Sequence, residues 1–387
     1  MISIAQYDSL FSLYVCLLAT LPCVVLGCLG RKSKILNLGI SILVLVSIVG
    51  IHTIQFLELL AFFVGEIVLI YFYLAFRKRS TSELIYYLVF FLSLLPILLV
   101  RSAPFFSGHA NLFGFVGLSY MCFKVWQILM EVHDGKIENI PMIDLLGCLL
   151  FFPSFSSGPI ARFQEFQQES ELPFSRTAYL TKYVIPGFRR IFTGLFYKMA
   201  VAFFIHFYVM SRISDVFSWT NMILYMYTYT FYLFFDFVGY TSIAIGFGYL
   251  LGIRLPENFN RPFLARNMKE FWARWHMSLS RWFNDYVFSR FVLNTVRNGF
   301  FKNTKAAARW GYLFSMTLMG LWHGFTWHYI TYGMYEGILL VLTDIYVRSS
   351  LHRRAKKKIY FDRLSRLVCF QCIAFGMLLF SGKYFPF

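Results

Sequence analysis

Long uninterrupted apolar segments recur along most of the chain, and short polar or basic segments separate them. The apolar residues within each segment are continuous rather than alternating, which predicts helices instead of strands. A helix needs about 20 apolar residues to cross a bilayer, so the pattern predicts an all-α polytopic membrane protein with about eleven transmembrane helices. The predicted segments are 9–29, 35–54, 56–76, 84–100, 112–131, 142–158, 187–210, 219–250, 311–329, 330–347 and 364–381.

Two stretches depart from this pattern. Residues 159–186 are rich in charge and are predicted to lie at a surface, and residues 253–309 are basic and aromatic without a long apolar run. Within the second stretch, an amphipathic helix is predicted that either lies on the membrane or dips into the protein. Its apolar face would contain Phe271, Trp272, Trp275, Leu279, Trp282, Phe283 and Tyr286. Its polar face would contain Lys269, Arg274, Ser278, Arg281 and Asp285.

The composition supports a membrane protein. Hydrophobic residues make up 58% of the chain and charged residues only 14%, which is too little polar surface to cover a water-soluble globule. Disordered, collagen-like, coiled-coil and secreted disulfide-rich proteins are excluded on the same ground. The net charge of +17 would suggest nucleic acid on a soluble protein. Here most of the basic residues lie between apolar segments, so they are interpreted as membrane-edge anchors.

Three basic clusters predict the orientation of the chain. They lie at residues 31–34, 77–79 and 353–358, next to the ends of apolar segments. The positive-inside rule places all three in the cytoplasm, so the N-terminus is predicted to lie outside. The first apolar segment has no basic residues before it and is therefore predicted to be a retained span, not a cleaved signal peptide.

His323 is the first candidate functional residue, because it lies in an apolar segment within the sequence MGLWHG, residues 319–324. An ionisable side chain at membrane depth is costly and marks a functional hypothesis. Histidine can also accept and return a proton near neutral pH. Gly320 and Gly324 are four residues apart, which would place both on one helix face and allow a close approach by another backbone or a thin substrate. A packed structural histidine is the alternative.

His276 is the second candidate, within FWARWHMSLS, residues 271–280. On the predicted helix it lies on the apolar face, one turn from Trp272 and Leu279. A single histidine there is more often structural than catalytic. Two histidines that each follow a tryptophan in an unusual membrane segment favour a shared site with His323.

Three further features place polar groups in apolar surroundings. Asp236 stands in the aromatic segment FYLFFDFVGYTSIAIG, where its simplest role is a hydrogen bond to Tyr240 or Thr241. Lys124 needs a partner or a route to the surface. The segment PSFSSGPI, residues 153–160, either terminates a helix or forms a loop that lines a polar cavity.

Several enzyme classes lack the motifs that they need. The sequence has no P-loop, no GxGxxG, no GxSxG and no HExxH, so ATP hydrolysis, nicotinamide chemistry and a serine-hydrolase mechanism have no support. His323 and His328 are five residues apart, about 140° around a helix, and would not face one metal ion. Cys369 and Cys372 have no second cysteine pair to complete a metal site.

Several motifs in order along the chain resemble those of the membrane-bound O-acyltransferase superfamily. They are PSFSSGPIARF, FDFVGYTSIAIG, ENFNRPFLARNMKEFWARWHMSLSRWF and LWHG. The resemblance runs from about Gly117 to Asp344 and is greatest to the branch that D-alanylates teichoic acids. The N-terminal 110 residues match only in hydropathy and order. Asn284-Asp285 departs from the Arg-Asp that related acyltransferases often have, which weakens any charge role for position 284.

The resemblance implies a fold and a domain organisation. A ring of helices would surround a thinned centre, with re-entrant or interfacial helices near 253–309. The chain would be a single membrane domain, with N-terminal helices in 1–110, a catalytic core in 111–347, and a basic loop with a C-terminal helix in 348–387. A funnel would open outward, and a narrow tunnel would lead to the cytoplasm.

The resemblance also implies a reaction and its partners. D-Alanine would arrive as a thioester on the phosphopantetheine arm of a small acidic carrier protein (DltC-like), and would leave on a hydroxyl on the outer side. Because a thioester is already activated, no bound cofactor, ATP or metal is expected at this step. The implied partners include DltD-like and small single-span DltX-like membrane proteins, the teichoic acid pathway and the bacterial cytoplasmic membrane, but no nucleic acid.

The matching motifs assign roles to particular residues. The near-invariant histidine of the superfamily falls on His323 and the second histidine on His276, which are the predicted catalytic residues. Support of the tunnel and site is expected from Trp322, Gly320, Gly324, Trp275, Ser278, Asp236, Asn258 and Asn260. Docking of the acidic carrier is predicted for Val292, Leu293, Arg290, Arg297 and Lys302, with apolar contact at the centre and basic residues steering the encounter. Anchoring at the lipid head groups is the alternative for this patch.

Three other functions remain open at the level of the sequence. An O-acetyltransferase of the alginate or peptidoglycan type would share LWHG and the tryptophan-rich segment. A proton-coupled transporter could use His323, His276 and Asp236 as a relay, but the sequence has no inverted repeat or matched pair of broken helices. A purely structural scaffold is the weakest option.

Overall fold

The computed structural model describes residues 7, 9–50, 53–107 and 117–384. This part of the chain is helical and contains no strand. The predicted boundary between residues 110 and 111 lies outside the described residues. The α-helices are α1 Leu10–Cys28, α2 Lys34–Val49, α3 Ile54–Arg77, α4 Glu83–Ser107, α5 Leu118–His133, α6 Met142–Leu149, α7 Phe163–Glu171, α8 Arg176–Tyr179, α9 Ile185–Leu195, α10 Trp219–Leu250, α11 Met268–Trp272, α12 Met277–Phe283, α13 Ser289–Arg297, α14 Thr304–His323, α15 Trp327–Arg348, α16 Ser350–Ala355 and α17 Phe361–Ser381.

Seven of the described helices are long and apolar enough to cross a membrane. They are α1, α3, Glu83–Ser102 of α4, the continuous helical stretch Arg176–Arg212, α10, α15 and α17. The apolar helix α2 has only 16 residues. The all-α membrane architecture is thus confirmed, whereas the count of about eleven spans and the ring arrangement stay predictions.

The stretch Arg176–Arg212 is irregular although it is continuously helical. It alternates between α-helix and π-helix, with π-helical turns at Leu180–Val184, Phe196–Ala202 and Ile205–Val209. A π-turn adds a residue to the helical repeat and so changes the direction in which the following side chains point. Such turns are frequent at functional sites.

The apolar segment predicted as a span at 142–158 does not form one. Helix α6 ends at Leu149 after eight residues, and a 3-10 turn at Phe152–Ser154 follows. The chain then folds back so tightly that a Cβ on Gly158 would lie 2.8 Å from the Cα of Ser154. Residues 151–156 are nevertheless buried. Hydropathy alone predicted a helix here because this loop is as apolar as a span.

The chain divides into two compact units. The first consists of Met1–Leu195 and Tyr240–Pro256, and the second of Phe196–Gly239 and Glu257–Phe387. In the first unit, α5 is buried on nearly every side and carries Lys124 in its middle. The Lys124 ammonium donates to the Cys148 carbonyl at 2.8 Å and to the Ser154 hydroxyl at 3.0 Å. The expectation that this buried lysine needs partners is confirmed.

In the second unit, α14 and α15 pack closely and antiparallel along a line of glycines. A Cβ on Gly333 would lie 2.5 Å from the Met316 carbonyl oxygen, and a Cβ on Gly337 would lie 2.9 Å from the Cα of Leu313. Because a larger residue would force the two helices apart, the glycines set their separation. The predicted segments 311–329 and 330–347 therefore correspond to two helices with a different boundary, the turn at 324–326.

Candidate active site

His323 is the last residue of α14, and its position differs from the predicted one in the middle of an apolar run. Gly324 follows the helix with an extended φ of 171° and is not part of it. The prediction that Gly320 and Gly324 share a helix face is therefore wrong. Gly320 packs against Gly333 of α15, whereas a Cβ on Gly324 would lie 2.7 Å from the Tyr329 ring.

Aromatic rings from three helices surround the half-buried His323 imidazole. Its centroid lies 4.5 Å from the ring of Trp322 and 4.9 Å from that of Phe380 on α17. Tyr329 of α15 stacks against it at 5.7 Å. The predicted neighbour Trp322 thus contacts His323 directly. An imidazole that is held by rings but remains partly exposed can receive a proton from a substrate.

His276 does not lie on a continuous helix, so this part of the amphipathic-helix prediction is wrong. Helix α11 ends at Trp272 and α12 begins at Met277, with His276 as its N-terminal cap in a left-handed conformation, φ 42°. Left-handed backbone is uncommon for a residue with a Cβ and persists where the surrounding structure fixes it. The His276 side chain is only 5% exposed, and its ring meets that of Phe237 edge to face at 4.8 Å.

Asn258 holds the turn that carries His276. Its side-chain oxygen accepts from the Ser278 amide at 3.2 Å and from the Ser278 hydroxyl at 2.6 Å. Its carbonyl accepts from the Met277 amide at 2.9 Å. On the other side of the turn, the amide of Asn260 donates to the Arg274 carbonyl at 2.9 Å. The structure thus places Asn258, Asn260 and Ser278 around one turn.

The predicted apolar face of this region is buried, but its polar face is not a single surface. Trp275 is 5% exposed and packs edge to face on Phe259 at 5.0 Å. Ser278, expected on the polar face, is also 5% exposed because it is bonded to Asn258. Arg281 and Asp285 remain exposed. The break between α11 and α12 explains the difference, since it rotates the later residues relative to the earlier ones.

The two histidines interact electrostatically. Burial first, and then the charge of His323, lower the pKa of His276 to about 3. His276 is therefore neutral at physiological pH and close enough to His323 to sense its charge. Both histidines lie in the second unit of the structure, and a catalytic site shared by them stays a prediction.

Asp236 has a different partner from those that its sequence suggested. Its carboxylate accepts from the Lys198 ammonium at 2.6 Å. Lys198 lies on the π-helical turn Phe196–Ala202, so the ion pair joins that turn to α10. Lys198 was not among the residues predicted from the sequence. A lysine inside an apolar segment is the signal that would have identified it.

A buried carboxyl group was also overlooked. Glu336 lies in the middle of α15 with no exposed surface, and it accepts a hydrogen bond from the Trp272 indole at 3.1 Å. Trp272 ends the short helix α11, four residues before His276. The contact therefore attaches the segment before the turn to α15. The signal in the sequence was an acidic residue, Glu336, inside the apolar segment 330–347.

The residues predicted to dock a carrier lie on and just after α13. Val292 is half-buried, with a methyl group 3.1 Å from the position that a Cβ on Gly311 would take. Leu293 is 67% exposed, and Arg297 and Lys302 are exposed as well. Arg290 is half-buried. The patch thus has an apolar residue at its surface with basic residues around it.

The chain is similar to known acyltransferases over most of its length. Residues 43–382 match the model of the membrane-bound O-acyltransferase (MBOAT) family. The chain is 36% identical to the teichoic acid D-alanyltransferase of Bacillus subtilis, over 94% of this chain and 95% of that protein. The corresponding protein of Streptococcus thermophilus is 34% identical over 88% of this chain and 85% of its own length. The "Probable alginate O-acetylase AlgI" of Azotobacter vinelandii is 30% identical over 59% of this chain and 44% of its own length. The protein is therefore a membrane O-acyltransferase that belongs to the MBOAT family.

Proposed function

We propose that this acyltransferase moves D-alanine from the phosphopantetheine thioester of a cytoplasmic carrier protein to a hydroxyl on the outer side of the membrane. The observation that carries the proposal is the half-exposed His323 imidazole, which aromatic rings surround at the end of α14. The high coverage of two D-alanyltransferase relatives supports D-alanine as the acyl group.

His323 is the proton acceptor in this proposal. The acceptor hydroxyl oxygen attacks the thioester carbonyl carbon while His323 takes the hydroxyl proton. The carbon–sulfur bond then breaks, and the thiolate of the carrier arm leaves and takes the proton from His323. Both substrates are consumed without an external reductant, oxidant or nucleotide. The partial exposure of His323 gives the hydroxyl access to its ring.

His276 has a different role, because burial keeps it neutral. With a pKa of about 3, its imidazole is a poor proton acceptor near neutral pH, but it can donate or accept one hydrogen bond without carrying charge. We assign it to orientation of the reacting groups. Its fixed backbone and its contact with Phe237 suit that task.

The docking patch of α13 receives the carrier. Leu293 supplies exposed apolar surface, and Arg297 and Lys302 supply positive charge that attracts an acidic partner. Substituting Val292 and Leu293 with Asp places two carboxylates against that partner. Carrier co-purification is then lost. Normal recovery of the carrier with this double variant would contradict the docking assignment.

The function is tested with the whole chain in proteoliposomes that also contain teichoic acid as the hydroxyl acceptor, and with a purified carrier loaded with D-[¹⁴C]alanine. The wild type releases the label from the carrier, and His323→Ala does not. His328→Ala is the matched control, since it removes a half-buried histidine from the first turn of α15 and keeps the activity. Normal release by His323→Ala in correctly inserted protein would refute the proton-acceptor assignment.

The same preparation separates the competing functions. The similarity to an alginate O-acetylase favours acetyl transfer as the second candidate. Consumption of an acetyl donor with no consumption of the D-alanyl carrier would establish that function instead. A transporter would move free D-alanine across the vesicle membrane without any loaded carrier.

A further inference from the structure

A small recess lies where α1 ends and α2 begins, in the first unit of the structure. It encloses about 190 Å³. Its floor contains Cys23, Asn37 and Tyr179, which are buried. Its mouth contains the exposed Arg31 and the half-buried Lys32. We refer to it as the α1–α2 recess.

The α1–α2 recess forms because α8 packs closely on the end of α1. The ring of Tyr179 occupies the space in which a Cβ on Gly27 would lie, so a larger residue there would separate the two helices. Phe174 stacks on the Tyr179 ring at 4.8 Å and extends this wall. Gly30 follows α1 with a φ of 68°, a conformation that favours glycine, and turns the chain so that residues 31–33 line the opening.

The polar groups on the floor of the recess are bonded within the protein. The Cys23 thiol donates to the Asn37 side-chain oxygen at 2.8 Å. The Asn37 side-chain nitrogen donates to the Leu251 carbonyl at 3.1 Å. Because these bonds use the Asn37 oxygen and one of its N–H groups, the charged contacts to a ligand must come from the mouth.

Two nearby lysines at the mouth have different partners. Lys34 forms ion pairs with Asp144 at 2.6 Å and with Glu171 at 2.8 Å. Lys32 instead donates to the backbone carbonyl of Glu169 at 2.7 Å, and it forms no ion pair within the part of the chain that the structure describes. Burial lowers the pKa of Lys32 to about 8. An anion bound at the mouth would therefore stabilise the charged form of this side chain.

Positive charge is in excess around the mouth. The guanidinium of Arg254 lies 4.9 Å from the centre of the Tyr183 ring, and its charge also lowers the pKa of Lys32. The Glu169 carboxylate accepts from the Arg254 amide at 3.2 Å. The cations Arg31, Lys32, Lys34 and Arg254 thus outnumber the carboxylates of Asp144, Glu169 and Glu171.

Exposed apolar side chains flank this charged mouth. Val25, Leu29 and Ile35 are 61%, 69% and 75% exposed. Helix α1 is long and apolar enough to cross a membrane, so Val25 would face acyl chains there. The recess is smaller than the roughly 300–1,000 Å³ of pockets that enclose a whole small ligand. It therefore suits one part of a ligand, a charged group whose apolar remainder lies outside.

We propose that the α1–α2 recess binds the phosphate head group of an anionic membrane phospholipid. The N–H groups of Arg31 and Lys32 donate to the phosphate oxygens, and the acyl chains lie along Val25, Leu29 and Ile35. The basic cluster 31–34 is predicted to lie on the cytoplasmic side, where anionic lipids attract cations next to a membrane span. This inference does not depend on the acyl group or the donor of the proposed function.

The test measures lipid binding to the delipidated whole chain by native mass spectrometry. Phosphatidylglycerol and phosphatidylcholine with the same acyl chains are titrated separately. The wild type binds phosphatidylglycerol about five- to twentyfold more tightly, since each cation near an anionic lipid contributes about fivefold. In Arg31→Gln/Lys32→Gln the ratio falls towards one. Lys78→Gln/Arg79→Gln, which removes two exposed cations from the other N-terminal basic cluster, keeps the wild-type ratio.

Three results would overturn the proposal. An unchanged ratio in Arg31→Gln/Lys32→Gln would refute it directly. An equal fall in both double variants would make the preference a general property of basic surface. Displacement of the lipid by an equal concentration of sn-glycerol 3-phosphate would assign the recess to a free phosphate compound. If the recess variant is unstable, Arg31→Gln is measured alone, because this exposed side chain can be replaced without opening the floor, and its ratio should fall severalfold.

Discussion

The two histidines of the candidate site are held in opposite ways. His323 ends a regular helix, stays half-exposed and is surrounded by aromatic rings. His276 is buried on a left-handed residue, and hydrogen bonds to Asn258 fix the chain that follows it. A partly exposed ring can exchange protons with a substrate, whereas a buried ring on a fixed turn is held in one orientation. Exposure and backbone rigidity thus separate a reactive role from an orienting one.

Replacing each histidine with Gln should give the largest difference between them. His323→Gln removes the proton acceptor and lowers kcat by about 10²- to 10⁴-fold without lowering the melting temperature. His276→Gln keeps a hydrogen-bonding group of similar size and lowers kcat less. Steady-state release of D-alanine from the loaded carrier measures both. Equal losses of kcat would contradict the separation of roles.

Removing the side chain that supports His276 should destabilise the protein. Asn258→Ala deletes the acceptor of two hydrogen bonds and leaves the Ser278 groups buried, which costs about 1–3 kcal/mol of unfolding free energy. Asn260→Ala is the matched control, because the Asn260 amide bonded to Arg274 belongs to the backbone. Thermal unfolding in detergent gives both values. A similar loss in the two variants would show that the asparagine side chain is not the anchor.

Acid should weaken the protein through His276. Its pKa of about 3 in the folded protein lies below the ordinary value near 6.5, so the unfolded chain binds a proton more readily between these values. Stability therefore falls as the pH drops below about 6.5, by about 2 kcal/mol between pH 7 and pH 5. Melting curves at the two pH values check this. His276→Gln should remove that part of the pH dependence, and an unchanged dependence would refute the assignment.

The backbone at residue 276 should respond to glycine. A left-handed residue with a Cβ is strained by about 1 kcal/mol, and glycine is not. Both His276→Gly and His276→Ala lose the ring contact with Phe237, so their difference isolates the strain. The glycine variant should therefore melt higher than the alanine variant. The reverse order of melting temperatures would show that the left-handed backbone of residue 276 is not strained.

The sequence predicted the helical membrane architecture better than it predicted local geometry. Continuous apolar segments suffice for the former, because lipid-exposed backbone must be helical. They could not reveal that residues 151–156 form a buried loop, since a loop packed inside protein is as apolar as a helix in lipid. Helical periodicity also did not reveal the break before His276. Trp272 and Trp275 are buried, as they would be on the apolar face of a continuous helix.

The partners of the charged residues Asp236 and Asp344 could not be predicted from the sequence for another reason. Asp236 could have bonded to residues one turn away on its own helix, and only the three-dimensional structure selects Lys198, 38 residues earlier. Asp344 has a basic residue four positions later, which a helix pattern predicts. Lys269 and Arg309, which also form ion pairs with Asp344, come from distant helices, so no local rule connects them. Long-range pairing depends on how the helices pack.

Helix α15 contacts both segments that carry the histidines. Gly333 and Gly337 seat α14 against it, and Glu336 between them holds Trp272 just before the His276 turn. Helix α15 thus positions both segments that carry the imidazoles. The length of the chain that links the two segments does not set their positions. Residues 298–300 of that link are exposed. Natural or engineered insertions at these residues can therefore lengthen the link without moving the two imidazoles.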